Sequence, residues 1–279
     1  MNKPDKLVIF DYSGTLSLEA PQFGRSENLL AAFAKSGLSA LGVTTPALFW
    51  HEIVGPTWIE GSTTGIGYKG VLAERIMALG IAPGKSGAEI AAAAALFVEA
   101  YLDGSPIDPH WRPLLEALTL RSDMALVVAT DHYAEMTETI LRNFRTWNIP
   151  AQKAGAGTRP QGQQPAPFCI ANSADMGFWK ADRRFWAALK SQLALDQVRD
   201  LLIIDDFGFN EEMEDLYAAE GLVEARRKET ITVLKEVFGA TVRAIPFLLK
   251  GEERRGAARR IAETGEEIIN DWGDAERIG

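Results

Sequence analysis

Leu7-Val8-Ile9-Phe10-Asp11-Tyr12-Ser13-Gly14-Thr15-Leu16 is the stretch that decides the fold. Four apolar residues run directly into an aspartate. An apolar run without alternation predicts a strand buried on both faces, the habit of parallel sheets, with Asp11 delivered at its carboxyl end. Gly14 lets the backbone turn sharply there. Open α/β sheets bind ligands outside the carboxyl ends of their strands. An acid in that place, beside a tight turn and the hydroxyl of Thr15, is positioned to act as a nucleophile or to hold a metal. Ser13 stands where a second carboxylate would suit acid/base chemistry best.

Two more apolar runs repeat the pattern. Met124 to Ala129 leads into Thr130-Asp131, and Leu201 to Ile204 leads into Asp205-Asp206. Strands commonly end in polar caps, but three buried strands that all end in Asp or Thr are better explained by one shared site.

Composition sets the outer bounds. The chain has 279 residues, 47% hydrophobic and 24% charged, which is ordinary for a globular protein with a full core. Cys169 is its single cysteine, so no internal disulfide can form and a reducing cytoplasm is the expected location. The net charge of −9 argues against non-specific nucleic-acid binding. It leaves room for an anionic small-molecule substrate, because a site follows its local charge and any bound cation. The N-terminal apolar run is too short for a signal peptide or a membrane span, so no membrane partner is expected. The composition is compatible with a homodimer and does not specify one.

About a hundred residues separate the first two runs, too many for a simple crossover. Their periodicity predicts helices over Asn28–Lys35, Pro46–Ile53, Gly70–Leu79, Gly87–Leu102 and Pro109–Leu120, an inserted helical domain. The glycine-rich stretch 61–67 within it lacks the lysine and spacing of a nucleotide P-loop. It reads equally as a flexible interhelical loop or as a loop facing substrate. Residues 151–167, rich in Gly, Pro and Gln, predict a surface loop or flap. A short strand is expected over Phe168–Ala171 and a helix after Lys180. Ala240–Phe247 reads as a last strand, with Pro246 favouring its end or an edge position. A charged amphipathic helix is expected over Glu252–Ile269, with Arg254, Arg255, Arg259 and Arg260 on its solvated face.

The chemistry-bearing residues follow from these strand ends. Thr130 precedes a helix expected to begin near His132. Its hydroxyl and the following amides can bind an anionic oxygen there, with Asp131 as the competing helix cap. Lys180 at a helix start opposes the macrodipole, and neutralising a nucleophilic carboxylate and a bound anion would account for it. Asp205 and Asp206, with Asn210 and Glu211 downstream, make an oxygen-rich pocket suited to magnesium. His51, His110 and His132 show no zinc spacing, and no serine-hydrolase elbow is present. Trp50 and Trp58 flank the glycine-rich stretch and are expected in the core of the insert rather than on a pocket.

Together, Asp11-Tyr12-Ser13-Gly14-Thr15-Leu16, the strand ending in Thr130, Lys180 within Gly177–Asp182, and Ile204-Asp205-Asp206 with Asn210 and Glu211 resemble the four ordered motifs of the haloacid dehalogenase superfamily. The resemblance spans residues 7 to 211. It implies an α/β fold: a Rossmann-like three-layer parallel-sheet core formed by residues 1–17 and 120–279, with an inserted α-helical cap over 18–119. It implies Asp11 as nucleophile, Thr130 and Lys180 as its electrostatic partners, and Ser13, Gly14, Thr15 and Asp131 at the substrate. Mg2+ would be held by Asp11, the Ser13 carbonyl and Asp206, with Asp205, Asn210 and Glu211 supporting. Phosphatases of the superfamily carry a second Asp at the position of Ser13, to protonate the leaving alkoxide and later activate water. Its 2-haloacid dehalogenases and phosphonate hydrolases lack that Asp. The dehalogenases use no metal, and the phosphonatase mechanism uses a cap lysine, for which Lys69 is the candidate here. The leading expectation is thus a magnesium-dependent hydrolase of a small phosphorylated or phosphonate-like metabolite. A metal-independent dehalogenase-type hydrolase and a catalytically weak binding protein are the alternatives.

Overall fold

The computed structural model describes residues 4–155, 166–210, 220–249 and 256–273. Six strands form one sheet: β1 (Lys6–Phe10), β2 (Met124–Thr130), β3 (Ala151–Lys153), β4 (Phe168–Asn172), β5 (Asp200–Asp205) and β6 (Thr241–Pro246). All neighbours are parallel, in the order β3-β4-β2-β1-β5-β6. β1 therefore lies between β2 and β5, and the chain builds outward from it on one side before crossing to the other. The carboxyl end of β1 is the topological switch point, where a crevice opens between diverging connections.

The strands are buried on both faces because side chains alternate between two separate apolar layers. Val8 and Phe10 join Leu126, Val128, Leu202 and Ile204 on one face, under the helices Arg112–Thr119, Glu135–Thr146 and Ala257–Gly273. Leu7 and Ile9 join Val127, Leu201 and Ile203 on the other, against the helices Arg183–Gln192 and Glu220–Phe238. This is a three-layer, Rossmann-like α/β core.

Between β1 and β2 the chain is helical and carries its own apolar cluster, centred on Phe33, Phe49, Leu72, Ile76, Ala94 and Phe97. The Ala-rich helix Gly87–Asp103 supplies part of it through Ile90, Ala93, Ala94, Phe97 and Val98. Ser86 and Glu89 start that helix with a reciprocal capping box. Ile107, Trp111, Leu114, Leu115 and Leu118 precede β2 yet pack in the sheet's cluster.

The glycine-rich stretch is neither a flexible loop nor open to solvent throughout. Gly55–Thr63 is a helix continuing a π-helical segment, Phe49–Val54, and a second helix starts at Gly67. Both helices are seated on residues that follow β2. Glu135 accepts from Tyr68 N at 2.7 Å and Lys69 N at 3.1 Å, capping the helix Gly67–Leu79 from across the crevice. Gly67 has φ +79°, and a Cβ there would stand 2.6 Å from Glu135 Oε1. A Cβ on Gly61 would run into the Tyr133 ring. Tyr68 and Tyr133 stack with centroids 4.0 Å apart, and Trp179 Nε1 donates to Ser62 Oγ at 2.7 Å.

Several elements differ from the sequence expectation. Residues 151–153 are not loop but the edge strand β3, three residues paired only to β4; an isolated Ala-Gln-Lys carries no period a sequence pattern could reveal. Residues 156–165 of the expected flap, Glu211, Arg254 and Arg255 lie outside the described residues. The helix Glu220–Phe238, for which the sequence reading offered no element, packs beside Arg183–Gln192. Arg259 is solvated and pairs with Glu263, but Arg260 turns inward, donating to the Pro246 carbonyl at 2.9 Å over the Phe247 ring. Cys169 is buried in β4. Among the described residues no helix is long and apolar enough to cross a membrane.

The close seating of the insert on Glu135 makes a direct prediction. Gly67→Ala forces an L side chain into left-handed backbone and against a carboxylate, at a cost of about 2 kcal/mol or more. Denaturant unfolding should show that loss, whereas Gly84→Ala, which meets open space at φ +76°, should show only the conformational part.

Candidate active site

Asp11 leaves β1 with its amide held by the Ile204 carbonyl at 2.9 Å, which fixes it beside the end of β5. Tyr12 turns away into the core and donates to the Ser105 carbonyl. A tight turn follows, closed by Ser17 N on Tyr12 O at 2.7 Å and Gly14 N on Ser17 O at 2.9 Å. Gly14 takes φ +74°, and any Cβ there would collide with the Asp206 carboxylate. Glycine is thus required by both conformation and space.

Lys180 reaches the same point from the loop after β4. Its backbone is clamped on both sides: Lys180 N donates to Asp131 Oδ1 at 2.8 Å, and Trp186 Nε1 donates to the Lys180 carbonyl. The helix behind it is capped by Asp182, which accepts from Arg184 N. Lys180 Nζ donates to Asp11 Oδ1 at 2.5 Å and to Asp205 Oδ2 at 2.8 Å. All three groups are buried.

The acids after β5 are held by their own loop. Asp205 Oδ1 accepts from Phe207 N at 2.6 Å. Asp206 accepts from Gly208 N at 3.0 Å and Asn210 N at 2.8 Å, and its own amide donates to Thr15 Oγ1 at 3.0 Å. Asn210 ties three segments together: its Nδ2 donates to the carbonyls of Gly14 and Phe247, both at 2.7 Å, and its Oδ1 accepts from Leu249 N at 2.7 Å. Oxygens of Asp11, Asp205 and Asp206 lie within 4.8 Å of one another.

Burial is the largest influence on these groups. It drives the Asp11 carboxyl well above the ordinary range, against the pull of Lys180 and with the help of Asp205 and Asp206. Asp206 is pushed up to about 7 by burial and by Asp205. Burial also raises Asp131. Lys180 is held well above its usual value: burial opposes its charge, but Asp11, Asp205 and Asp131 outweigh it. His132, buried and near Lys180, is lowered to about 4. It accepts from Tyr133 N at Nδ1, so its proton sits on Nε2, facing the Tyr101 hydroxyl at 2.7 Å.

Two connected spaces lie above these residues. A polar chamber of about 40 Å³ is bounded by Asp11, Ser13, Thr130, Lys180, Asp205 and Asp206. It shares Ser13, Asp131, Ala181 and Arg226 with a second cavity of about 600 Å³, walled mainly by residues of the insert, many of them aromatic.

The structure therefore gathers Asp11, Ser13, Thr130, Asp131, Lys180, Asp205 and Asp206 around one space. Gly14 and Thr15, expected at the substrate, line neither cavity; Thr15 is spent on Asp206 N and, through its carbonyl, on Trp111 Nε1 at 2.9 Å. Thr130 is the last residue of β2, and the next helix starts only at Glu135, so no helix N-terminus stands behind its hydroxyl. Asp131 caps no helix and instead anchors Lys180. Trp50 and Trp58, expected in the core, are half-buried and line the large cavity. Lys69 pairs with Glu99 at 2.8 Å and lines neither space, which removes the candidate for a phosphonatase-type lysine. Arg226, Glu229 and Thr230 were missed. Their spacing places them on one face of the helix Glu220–Phe238, but that face becomes part of the site only because the helix packs beside β6 and the helix Arg183–Gln192.

No family model matches the chain, and no curated protein does. Among solved structures, it is similar to a 2-haloacid dehalogenase from Pseudomonas syringae pv. Tomato DC3000, at 21% identity and TM-score 0.44 over 72% of this chain and 77% of that one. YfnB of Bacillus subtilis, described as a HAD-hydrolase and bound to magnesium, aligns at 14% identity and TM-score 0.44 over 89% of this chain and 90% of that one. A phosphonoacetaldehyde hydrolase-like protein from Oleispira antarctica aligns at 14% identity and TM-score 0.36 over 93% of this chain and 95% of that one. Likeness at this level carries no argument about activity.

The charge balance predicts a pH-dependent response to magnesium. A carboxylate whose folded pKa is raised favours folding below its unfolded value, 3.8, and withdraws that stability as pH rises through about 7. His132, lowered to about 4, works the other way: its stabilising contribution is present above 6.5 and lost as pH falls towards 4. A cation beside Asp11 and Asp206 offsets only the first effect. The Tm difference between magnesium and chelator should therefore be several degrees at pH 8 and small at pH 5, whatever the absolute pH profile. Equal differences at both pH values would remove these acids from the metal site.

Proposed function

We propose that the chain is a hydrolase of the haloacid dehalogenase type that uses Asp11 as nucleophile, depends on Mg2+ and acts on an organic phosphate or phosphonate-like anion. The observation that supports this most is the charge count of the polar chamber. Asp11, Asp205 and Asp206, with Asp131 at the mouth, face the buried ammonium of Lys180 and, at the edge, the guanidinium of Arg226. Three carboxylates with oxygens this close, two of them driven towards protonation by burial, fit a hard divalent cation. Asp11, Asp206 and the Ser13 carbonyl would hold it; Asp206 accepts only from neutral amides, whereas Asp205 is already paired with the Lys180 ammonium. When bound, the ion would supply positive charge against the acids and the substrate's anionic oxygens.

The chain's own residues account for the rest. Lys180 binds Oδ1 of Asp11, leaving Oδ2 to attack. The Asp11 Oδ2–phosphorus bond forms as the bond from phosphorus to the leaving oxygen breaks, and water then opens the aspartyl intermediate. Thr130 and Lys180 flank the anion, and the helical insert keeps bulk water out. The insert is a cap over residues 18–119, and Ile107, Trp111, Leu114, Leu115 and Leu118 near its end pack with the sheet.

Ser13 shapes the chemistry further. A serine hydroxyl cannot protonate a leaving alkoxide near neutral pH. Leaving groups that are stable as anions should then react fastest. Across a series of phosphate esters, kcat/KM should fall steeply as leaving-group pKa rises. Ser13→Asp should flatten that slope and raise turnover of alkyl phosphates by about 10²-fold. Asp11→Asn should lower kcat by about 10³-fold or more with every substrate; turnover that survives it would exclude the nucleophile assignment.

Ser13 also favours a second reading, displacement of halide at carbon, since halide leaves without a proton. Halide release from 2-haloacids in the presence of chelator would establish it over the phosphate chemistry.

A further inference from the structure

We propose that the substrate is an amphiphile: one small anionic head for the polar chamber, joined to an apolar, flat or extended body that fills the cavity beneath the cap. The inference rests on the functional reading above for the head group and on the cavity's walls for the body.

The two spaces differ sharply in size and lining. The polar chamber, about 40 Å³, has room for a single reacting group. The adjoining cavity, about 600 Å³, is large enough for a ligand of many heavy atoms. Its walls include Phe49, Trp50, Trp58, Tyr68, Phe97 and Trp179. Its charged residues, Asp131, Arg226 and Glu229, come from the elements next to the polar chamber.

A short polar metabolite would fill the small chamber and leave these aromatic walls in contact with water. The wall is mainly apolar, although Trp50 Nε1 is buried there without a hydrogen-bond partner, so a sugar or nucleotide body would leave several hydroxyls and ring nitrogens unpaired, each at a cost to binding. An apolar body gains by the area it removes from water. Arg226, common to both spaces, is placed to meet the head's negative charge at the neck between them. The walls are held in shape rather than loosely arranged. Tyr68 stacks on Tyr133, Trp58 meets Tyr133 edge-on at 5.3 Å, and Glu135 fixes the Tyr68 backbone.

Calorimetric titration of the intact protein in magnesium with ethyl-, butyl-, hexyl- and octylphosphonate tests this without requiring turnover. Phosphonoacetate and 2-hydroxyethylphosphonate serve as small polar comparators, and the matching alkanoates as a second head group. Kd should fall about fourfold per added methylene in at least one series until the cavity is full, with an increasingly negative heat-capacity change. 1-Naphthylphosphonate should bind at least as well as the hexyl compound. Affinities that do not change with chain length in either series, tighter binding of the polar comparators, or no binding at all would overturn the proposal. Turnover separates it from the functional reading. A chain-length dependence without any Asp11-dependent hydrolysis of 1-naphthyl phosphate, whose leaving group needs no proton, supports the amphiphile and defeats the phosphate hydrolase. Hydrolysis of small polar phosphates with no gain from longer bodies does the reverse.

Discussion

A buried ammonium held between two carboxylates is the constraint around which the rest of the site is arranged. Lys180 lies 2.5 Å from Asp11 and 2.8 Å from Asp205, and none of the three has appreciable access to water. Charges taken out of water are tolerated only when paired and fully hydrogen-bonded. The chain meets that demand with side-chain and backbone groups from three separate segments. Asp131 and Trp186 fix the lysine's backbone, Phe207 N satisfies Asp205, and Ile204 O fixes Asp11. Because these ties join the ends of β1, β2 and β5 to the segment after β4, the arrangement exists only when β1, β2, β4 and β5 lie side by side.

The pairing is unbalanced. One ammonium cannot offset Asp11, Asp205 and Asp206, and the surplus negative charge appears as carboxyl groups pushed towards protonation. The surrounding scaffold relieves it only in part, through the Gly208 and Asn210 amides on Asp206. Asn210 bonds to Gly14, Phe247 and Leu249, and Thr15 bonds to Asp206, so these polar residues rigidify the acids without neutralising them. A site preorganised in this way is poised to receive positive charge from outside the chain, which is the physical content of the proposed metal site.

Above the acids the character changes from polar to aromatic within one residue layer. The insert contributes the aromatic walls, while its seat on the core depends on Glu135, Tyr133 and Trp179. Gly61 and Gly67 are there because the backbone comes too close to Tyr133 and Glu135 for any side chain. The same contacts that hold the insert down therefore also shape the large cavity.

The sequence by itself determined the parallel sheet and the corners of the site. Apolar runs ending in Asp11, Thr130 and Asp205-Asp206 are local patterns, and buried strands with acids at their carboxyl ends admit few arrangements. Lys180 was readable because a lysine at a helix start needs a reason. Tertiary structure alone decided the rest. Thr15 and Gly14 look like ligand residues in the motif, yet their groups are consumed by Asp206 and Asn210, partners almost two hundred residues away. Trp50 and Trp58 have the composition of core residues, and only the docking of the insert turns them into cavity wall. Arg226 carries no local signal at all and enters the site because its helix packs beside β6 and the helix Arg183–Gln192. Periodicity records which face of an element is buried; what lies opposite that face is set by long-range packing, which no short stretch of sequence encodes.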